Sequence, residues 1–213
     1  MNVVLIGASG MIGSRVLKEL VSRGHKVAAV VRDPSKVEAG SGVTVVQGDV
    51  NDAAAMAGIL SGVDAVVLSY SPPPGNEQRV ISATQSQFTA IKKAGVKRVI
   101  VVGGAASLFV TPGVTVLNSG HLPEQWKAIA KAHSDLLDLL RTTNLGTGLD
   151  WTYFSPAGVI QPGERTGKFR LGKDDLVVDG KAESRISAED YAIALVDELE
   201  RPQHLRVRFT IGY

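Results

Sequence analysis

Short apolar runs rich in Val and Ile recur through the first half of the chain, and most lead into a stretch with helical spacing. The runs fall at residues 3–6, 26–31, 43–47, 63–69 and 99–102. They are apolar without a strict alternation, so both faces of each strand need cover. After the first run, Met11, Ile12, Val16, Leu17, Leu20 and Val21 repeat at the spacing of one helix face until Gly24, a natural stop. Asn51-Asp52 can cap a short helix through Leu60, and a longer helix over about 77–94 ends at Gly95. Doubly buried strands alternating with helices define a parallel sheet with helices on both sides. Right-handed crossovers then dictate a doubly wound α/β topology.

Past Gly103 the rhythm loosens. Residues 103–122, with Pro112, Gly113, Asn118 and Gly120, read as a long loop, and loops of that length in compact domains tend to be functional. A helix over about 123–141 follows, with Pro123 suited to its first turn. Residues 150–154 form a sixth strand, and 155–186 hold several glycines and short strands. Ser187-Ala188-Glu189-Asp190 resembles a capping box with Asp in the place of Glu, opening a helix to about Glu200. Residues 206–211 alternate and end the sheet. The expectation is one domain over residues 1–213, its substrate-side elements mainly in a small region formed by 103–122 and 155–186.

A chain of 213 residues buries about 70% of its unfolded surface, enough to fold without metal or disulfide. It has no cysteine, which removes thiolate metal sites and cysteine nucleophiles. Its four histidines (His25, His121, His133, His204) lack metal-ligand spacing, so no metal is expected. A net charge of +2 on scattered basic residues gives no footprint for nucleic acid. No apolar run approaches the roughly 18–20 residues of a membrane span. Met1-Asn2 leads straight into a strand without the basic start of a signal peptide, so a cytoplasmic protein is expected, as monomer or homodimer.

The first strand meets its helix through Gly7-Ala8-Ser9-Gly10-Met11-Ile12-Gly13, a GxxGxxG turn. Gly7 permits the tight bend, Gly10 lets a diphosphate approach the main chain, and Gly13 allows close packing of helix on strand. The helix start offers free N–H groups and a positive dipole end, with Met11 and Ile12 covering the diphosphate by their backbone. Strand, turn and helix in this order point to a dinucleotide-binding Rossmann fold. No Gly-Lys-Ser/Thr follows, which excludes a P-loop.

An acid about 20 residues further on commonly binds the ribose of NAD. Here the second strand ends in Val31-Arg32-Asp33-Pro34-Ser35-Lys36. A guanidinium at Arg32, with Lys36 as a second charge, suits a 2′-phosphate and favours NADP(H) over NAD(H). The alternative leaves Arg32 to solvent and makes Asp33 the ribose acid. Gly48-Asp49-Val50 after the third strand either contacts adenine or simply turns the chain.

These features together resemble the atypical short-chain dehydrogenase/reductase family, in the branch of NADH-flavin reductase-like, NmrA-like and biliverdin reductase B-like proteins. The resemblance covers nearly the whole chain. It rests on the glycine turn, 31–34, 48–50, Val101-Val102-Gly103-Gly104-Ala105, 149–152, Phe154-Ser155-Pro156, and Arg185-Ile186-Ser187 with 189–192. It implies that Gly103 lies by the cofactor and that Phe154, Ser155 and Pro156 present their main chain to a nicotinamide carboxamide. Active members carry Tyr-x-x-x-Lys on the helix after the fifth strand, and this sequence has none. Counting back along that helix puts Ile129 at the tyrosine position and His133 at the lysine position.

His133 therefore stands as a group holding the nicotinamide ribose, a proton donor, or a packed histidine. Ser107 lies where the family often orients substrate, or is an ordinary loop residue. Tyr70 either walls the nicotinamide pocket or stiffens the run Ser71-Pro72-Pro73-Pro74. Trp126, Phe109 and Leu108 suit either an apolar lid or the core. Without the tyrosine, the expected activity is NAD(P)H-dependent hydride transfer to a flat acceptor, a flavin or quinone-like molecule, that takes its proton from solvent. A non-catalytic redox sensor of the NmrA-like type is the alternative, and an epimerase or dehydratase a weaker one.

Overall fold

The computed structural model describes residues 1–213. Twelve strands and five α-helices follow in chain order: β1 (Asn2–Ile6), α1 (Met11–Ser22), β2 (Lys26–Val31), β3 (Val43–Gln47), α2 (Ala53–Ile59), β4 (Ala65–Leu68), α3 (Arg79–Lys93) and β5 (Arg98–Val102) in the first half. The second half holds β6 (Phe109–Thr111), β7 (Val114–Thr115), α4 (Glu124–Thr142), β8 (Asp150–Ser155), β9 (Val159–Gln161), β10 (Arg170–Gly172), β11 (Arg185–Ser187), α5 (Ala188–Glu200) and β12 (Val207–Gly212). The central sheet runs β10-β12-β8-β5-β4-β1-β2-β3, parallel throughout except for β10, which pairs antiparallel with β12.

The strands are apolar throughout because each feeds two cores. Val4 and Ile6 of β1 join Val66, Val99, Val101 and Tyr153 in a core with residues of α2, α3 and α4. Val3 and Leu5 join Val67, Ile100, Phe154 and Phe209 in the other, with α1 and α5. From β1 the chain moves outward to β2 and β3, and then returns to β4 on the other side. The carboxyl ends of β1 and β4 thus border the switch point, where open α/β sheets bind ligands.

The segment 103–122 differs from a plain loop. Strands β6 and β7 pair antiparallel in it, with Phe109 opposite Thr115. Pro112 and Gly113 turn the hairpin, and Gly113 at φ +80° takes the left-handed conformation that glycine allows. Pro123 sits one place earlier than its expected first-turn position, as the N-cap of α4. The capping box is half formed: Ser187 Oγ accepts from Asp190 N, but Ser187 N donates to Tyr213 Oη. No helix is long and apolar enough to cross a membrane.

Candidate dinucleotide and acceptor site

Each glycine of the opening turn has its own reason. Gly7 has φ +87°, and a Cβ on it would lie 2.3 Å from Ser69 O. A Cβ on Gly13 would lie 2.1 Å from Gly7 O, so α1 packs directly on the turn. Gly10 is different. Its Cβ would meet only Gly7 O, at 3.3 Å, and the side it leaves bare lines a cleft of about 210 Å³. As N-cap of α1 it offers no side-chain hydrogen bond, and no acid stands in the first turn. The N–H groups of Met11, Ile12 and Gly13 have no acceptor among the hydrogen bonds of the protein. Three free amides at a positive dipole end, beside a cradle that a β-branched side chain would fill, fit a dinucleotide diphosphate.

The cleft lies over the ends of β1, β2 and β4, with Ser9, Arg32, Val50 and Tyr70 in its walls. Larger grooves lie elsewhere, including one of about 510 Å³ beside residues 161–168 and 185–187, which the glycine turn does not line. Arg32 is exposed at the end of β2. The neighbouring Asp33 carboxylate accepts from Ser35 Oγ at 2.7 Å and Ser35 N at 3.1 Å, and these bonds hold its pKa below the ordinary value. Lys36 is exposed at the end of the short turn of helix that Asp33 caps. Asp49 accepts from Asn51 N at 2.9 Å and Asn51 Nδ2 at 2.8 Å, which lower its pKa, and it remains exposed. Val50 is buried, its carbonyl taken by the Gln87 side-chain amide from α3.

At the other end, Gly103 and Gly104 follow β5. The space beside Gly103 is filled by the Tyr153 ring, 2.1 Å from where a Cβ would be, and a Cβ on Gly104 would lie 2.9 Å from His133 Cβ. His133 and Ser107 are each half-buried, but His133 Nδ1 and Ser107 Oγ are out of solvent and have no hydrogen-bond partner. Burial pushes the His133 imidazole down to about 4, so it is neutral at physiological pH. Ile129, expected from the resemblance at the tyrosine position, packs against the core shared by α3 and α4. Trp126 is 55% exposed near the start of α4, whereas Leu108 is fully buried.

Phe154 is stacked between Tyr191 and Phe209, with ring centroids 4.1 and 4.0 Å away. Its carbonyl accepts from Gly103 N and Tyr191 Oη. Ser155 is buried, and the Pro156 carbonyl accepts from Thr210 Oγ1. Thus Gly7, Ser9, Gly10, Arg32, Val50 and Tyr70 gather around the cleft. Met11, Ile12, Gly13, Lys36, Asp49 and Gly103 stand outside its lining, and Phe154 to Pro156 are tied mainly to β12 and α5.

Two residues escaped the sequence reading. Tyr153 Oη donates to His133 O at 2.8 Å and accepts from Gly104 N at 3.1 Å. Arg208, on β12 with its side chain fully buried, reaches Asp174 Oδ1 and Ser107 O. The paired glycines 103–104 were the one local sign that something bulky lies against the end of β5.

A family model described as NAD(P)H-binding matches residues 7–202. The chain is 38% identical to the uncharacterized protein YwnB of Bacillus subtilis, over 99% of this chain and 98% of that one. It superposes on the crystal structure of a proposed epimerase of Bacteroides thetaiotaomicron with a TM-score of 0.93 and 42% identity, covering 100% of this chain and 96% of the other. A proposed NADH-flavin reductase of Streptococcus pneumoniae matches with a TM-score of 0.88 and 34% identity, over 100% and 99% of the two chains. The chain belongs to the NAD(P)H-binding family.

Proposed function

We propose that the protein is an NADP(H)-dependent reductase that passes hydride to a flat acceptor, a flavin or quinone-like molecule. This reading is supported by the apolar Ile129, where the resemblance expects the tyrosine, and by the His133 imidazole, neutral at physiological pH through burial. A simple ketone needs a proton delivered as hydride arrives, whereas a flavin or quinone can take its proton from water. A bound reduced nicotinamide supplies the hydride. The amides of Met11, Ile12 and Gly13 hold the diphosphate, and Gly10 keeps the approach open. Arg32, with Asp33 spent on Ser35, faces the adenosine end with a free positive charge suited to a 2′-phosphate. Ser107 Oγ and His133 Nδ1, buried and unpartnered, are the groups that can hydrogen-bond the polar edges of the bound rings. The likeness to the streptococcal protein supports the flavin reading.

The test is NADPH oxidation with FMN, riboflavin, a benzoquinone and a simple ketone. Turnover is expected with the flat acceptors and not with the ketone. It should show no pH limb between about 6 and 8, because His133 does not change charge there. Turnover should collapse in Gly10→Val, whose side chain enters the diphosphate cradle. Tight NADPH binding with no turnover on any acceptor would replace this reading with that of a redox sensor.

A further inference from the structure

Two buried side chains on neighbouring strands reach the same short turn from beneath. Tyr153 on β8 is directly opposite Arg208 on β12, so the two share a face of the sheet. Both are buried, Tyr153 at 0% and Arg208 at 2% exposure. Gly103 leaves the room that lets the Tyr153 ring lie against the main chain after β5. From there the Tyr153 hydroxyl takes the Gly104 N–H and gives its own proton to His133 O. Arg208 Nη2 donates to Ser107 O at 3.4 Å, and Arg208 Nη1 to Ser155 Oγ at 3.5 Å. Its Nε is held at 2.9 Å by Asp174 Oδ1, which Arg141 of α4 also engages at 2.7 Å.

Among their partners, Tyr153 holds the carbonyl of His133 and Arg208 reaches that of Ser107, two residues whose side chains each leave a buried polar atom without a partner. Segment 104–107 is thereby fixed at both ends. Main-chain bonds extend the clasp, with Phe109 N donating to Asp174 O and Leu176 N to Phe109 O. A strand in this position needs no hydroxyl and no buried guanidinium for packing, and burying a charge is costly even when it is paired.

We propose that Tyr153 and Arg208 are positioning residues that hold Ser107 Oγ and His133 Nδ1 toward the nicotinamide and acceptor. This inference rests on the reductase reading. Neither residue touches the reacting atoms; each acts through the carbonyl it holds. Small displacements of such groups cost large factors in rate.

The experiment uses the full-length protein and the variants Tyr153→Phe, Arg208→Lys and Arg208→Met. It measures the NADPH dissociation constant, the fluorescence emission of bound NADPH, and kcat and KM with FMN. Tyr153→Phe should leave the NADPH dissociation constant within about threefold, shift bound-NADPH emission toward that of free cofactor, and lower kcat by at least about tenfold. Arg208→Lys should retain more of the native emission and rate than Arg208→Met. Unchanged emission and kcat in Tyr153→Phe would overturn the proposal, as would a rate loss matched by loss of folded protein. If Arg208→Met does not fold, Tyr153→Phe, which removes one oxygen, decides alone. Wild-type protein that binds NADPH but reduces no acceptor overturns the reductase reading, while the emission of bound NADPH still decides the positioning claim.

Discussion

Arg32 and Asp33 stand side by side at the end of β2, and their hydrogen bonds separate their roles. Asp33 is committed to capping Ser35, whereas Arg32 lines the cleft with its charge exposed. Arg32→Ala should therefore weaken NADPH binding by about tenfold or more, the scale of one charged hydrogen bond of roughly 1.5–3 kcal/mol. NADH binding should change far less. Paired titrations of the two cofactors check this, and equal losses would assign Arg32 to solvent. At this scale the glycine turn was legible in the sequence because the bend at Gly7 and the contact of Gly13 with Gly7 O are set within seven residues, although the Ser69 carbonyl that crowds Gly7 comes from the end of β4. The roles of Tyr153 and Arg208 were not, since their side-chain partners lie 20 to 101 residues away.

Helix α5 shows how an element can begin as expected and still use a residue differently. Ser187 caps it, but Asp190 turns away from the cap and binds the strap before β10. Its carboxylate accepts from Thr166 N and Gly167 N at 2.8 Å each, from Thr166 Oγ1, and from Tyr213 Oη at 2.9 Å. It is fully buried. Asp190→Asn should destabilise the protein by about 3 kcal/mol or more, because an amide cannot accept from all four donors. Ser187→Ala removes one cap bond and should cost about 1 kcal/mol. Urea unfolding of both variants gives the comparison, and equal costs would show that the strap is not anchored through Asp190. The strands β1 to β5 and their helices were readable from apolar runs and helical periodicity. The β6–β7 hairpin was not, because its strands are short and half-exposed, and only Pro112-Gly113 marked the turn.

Across the whole molecule, carboxylates tie the outer elements together. For Glu19, burial favours the neutral form, but hydrogen bonds from Arg165 and Arg23 outweigh it and lower the pKa below 4.5. Asp174, Glu189 and Glu200 are likewise lowered against burial, chiefly by Arg141 and Arg208, by Gly163 N and Arg15, and by His25 and Arg23. A carboxyl with a depressed folded pKa stabilises the fold above its unfolded pKa, and that stability is lost as pH falls through the folded one. His133 acts in the same direction from a higher pH. The unfolded imidazole takes a proton near 6.5 and the folded one only near 4, so stability declines across that interval as pH falls. The urea midpoint should fall gradually below about pH 6.5 and steeply below about 4.5, and the early limb should vanish in His133→Asn. A midpoint constant from neutrality to about pH 3 would contradict both assignments.

The amino-acid sequence by itself determined the parallel sheet, the order of its early strands and helices, and the glycine turn. Each of these is encoded largely by neighbours along the chain: by apolar runs, by helical periodicity and by closely spaced glycines. Only the tertiary structure decided which buried groups meet beyond the end of β5. The partners of His133 and Ser107 come from β8 and β12, and a side chain's hydrogen-bond partner is set by which strands lie side by side rather than by its sequence neighbours.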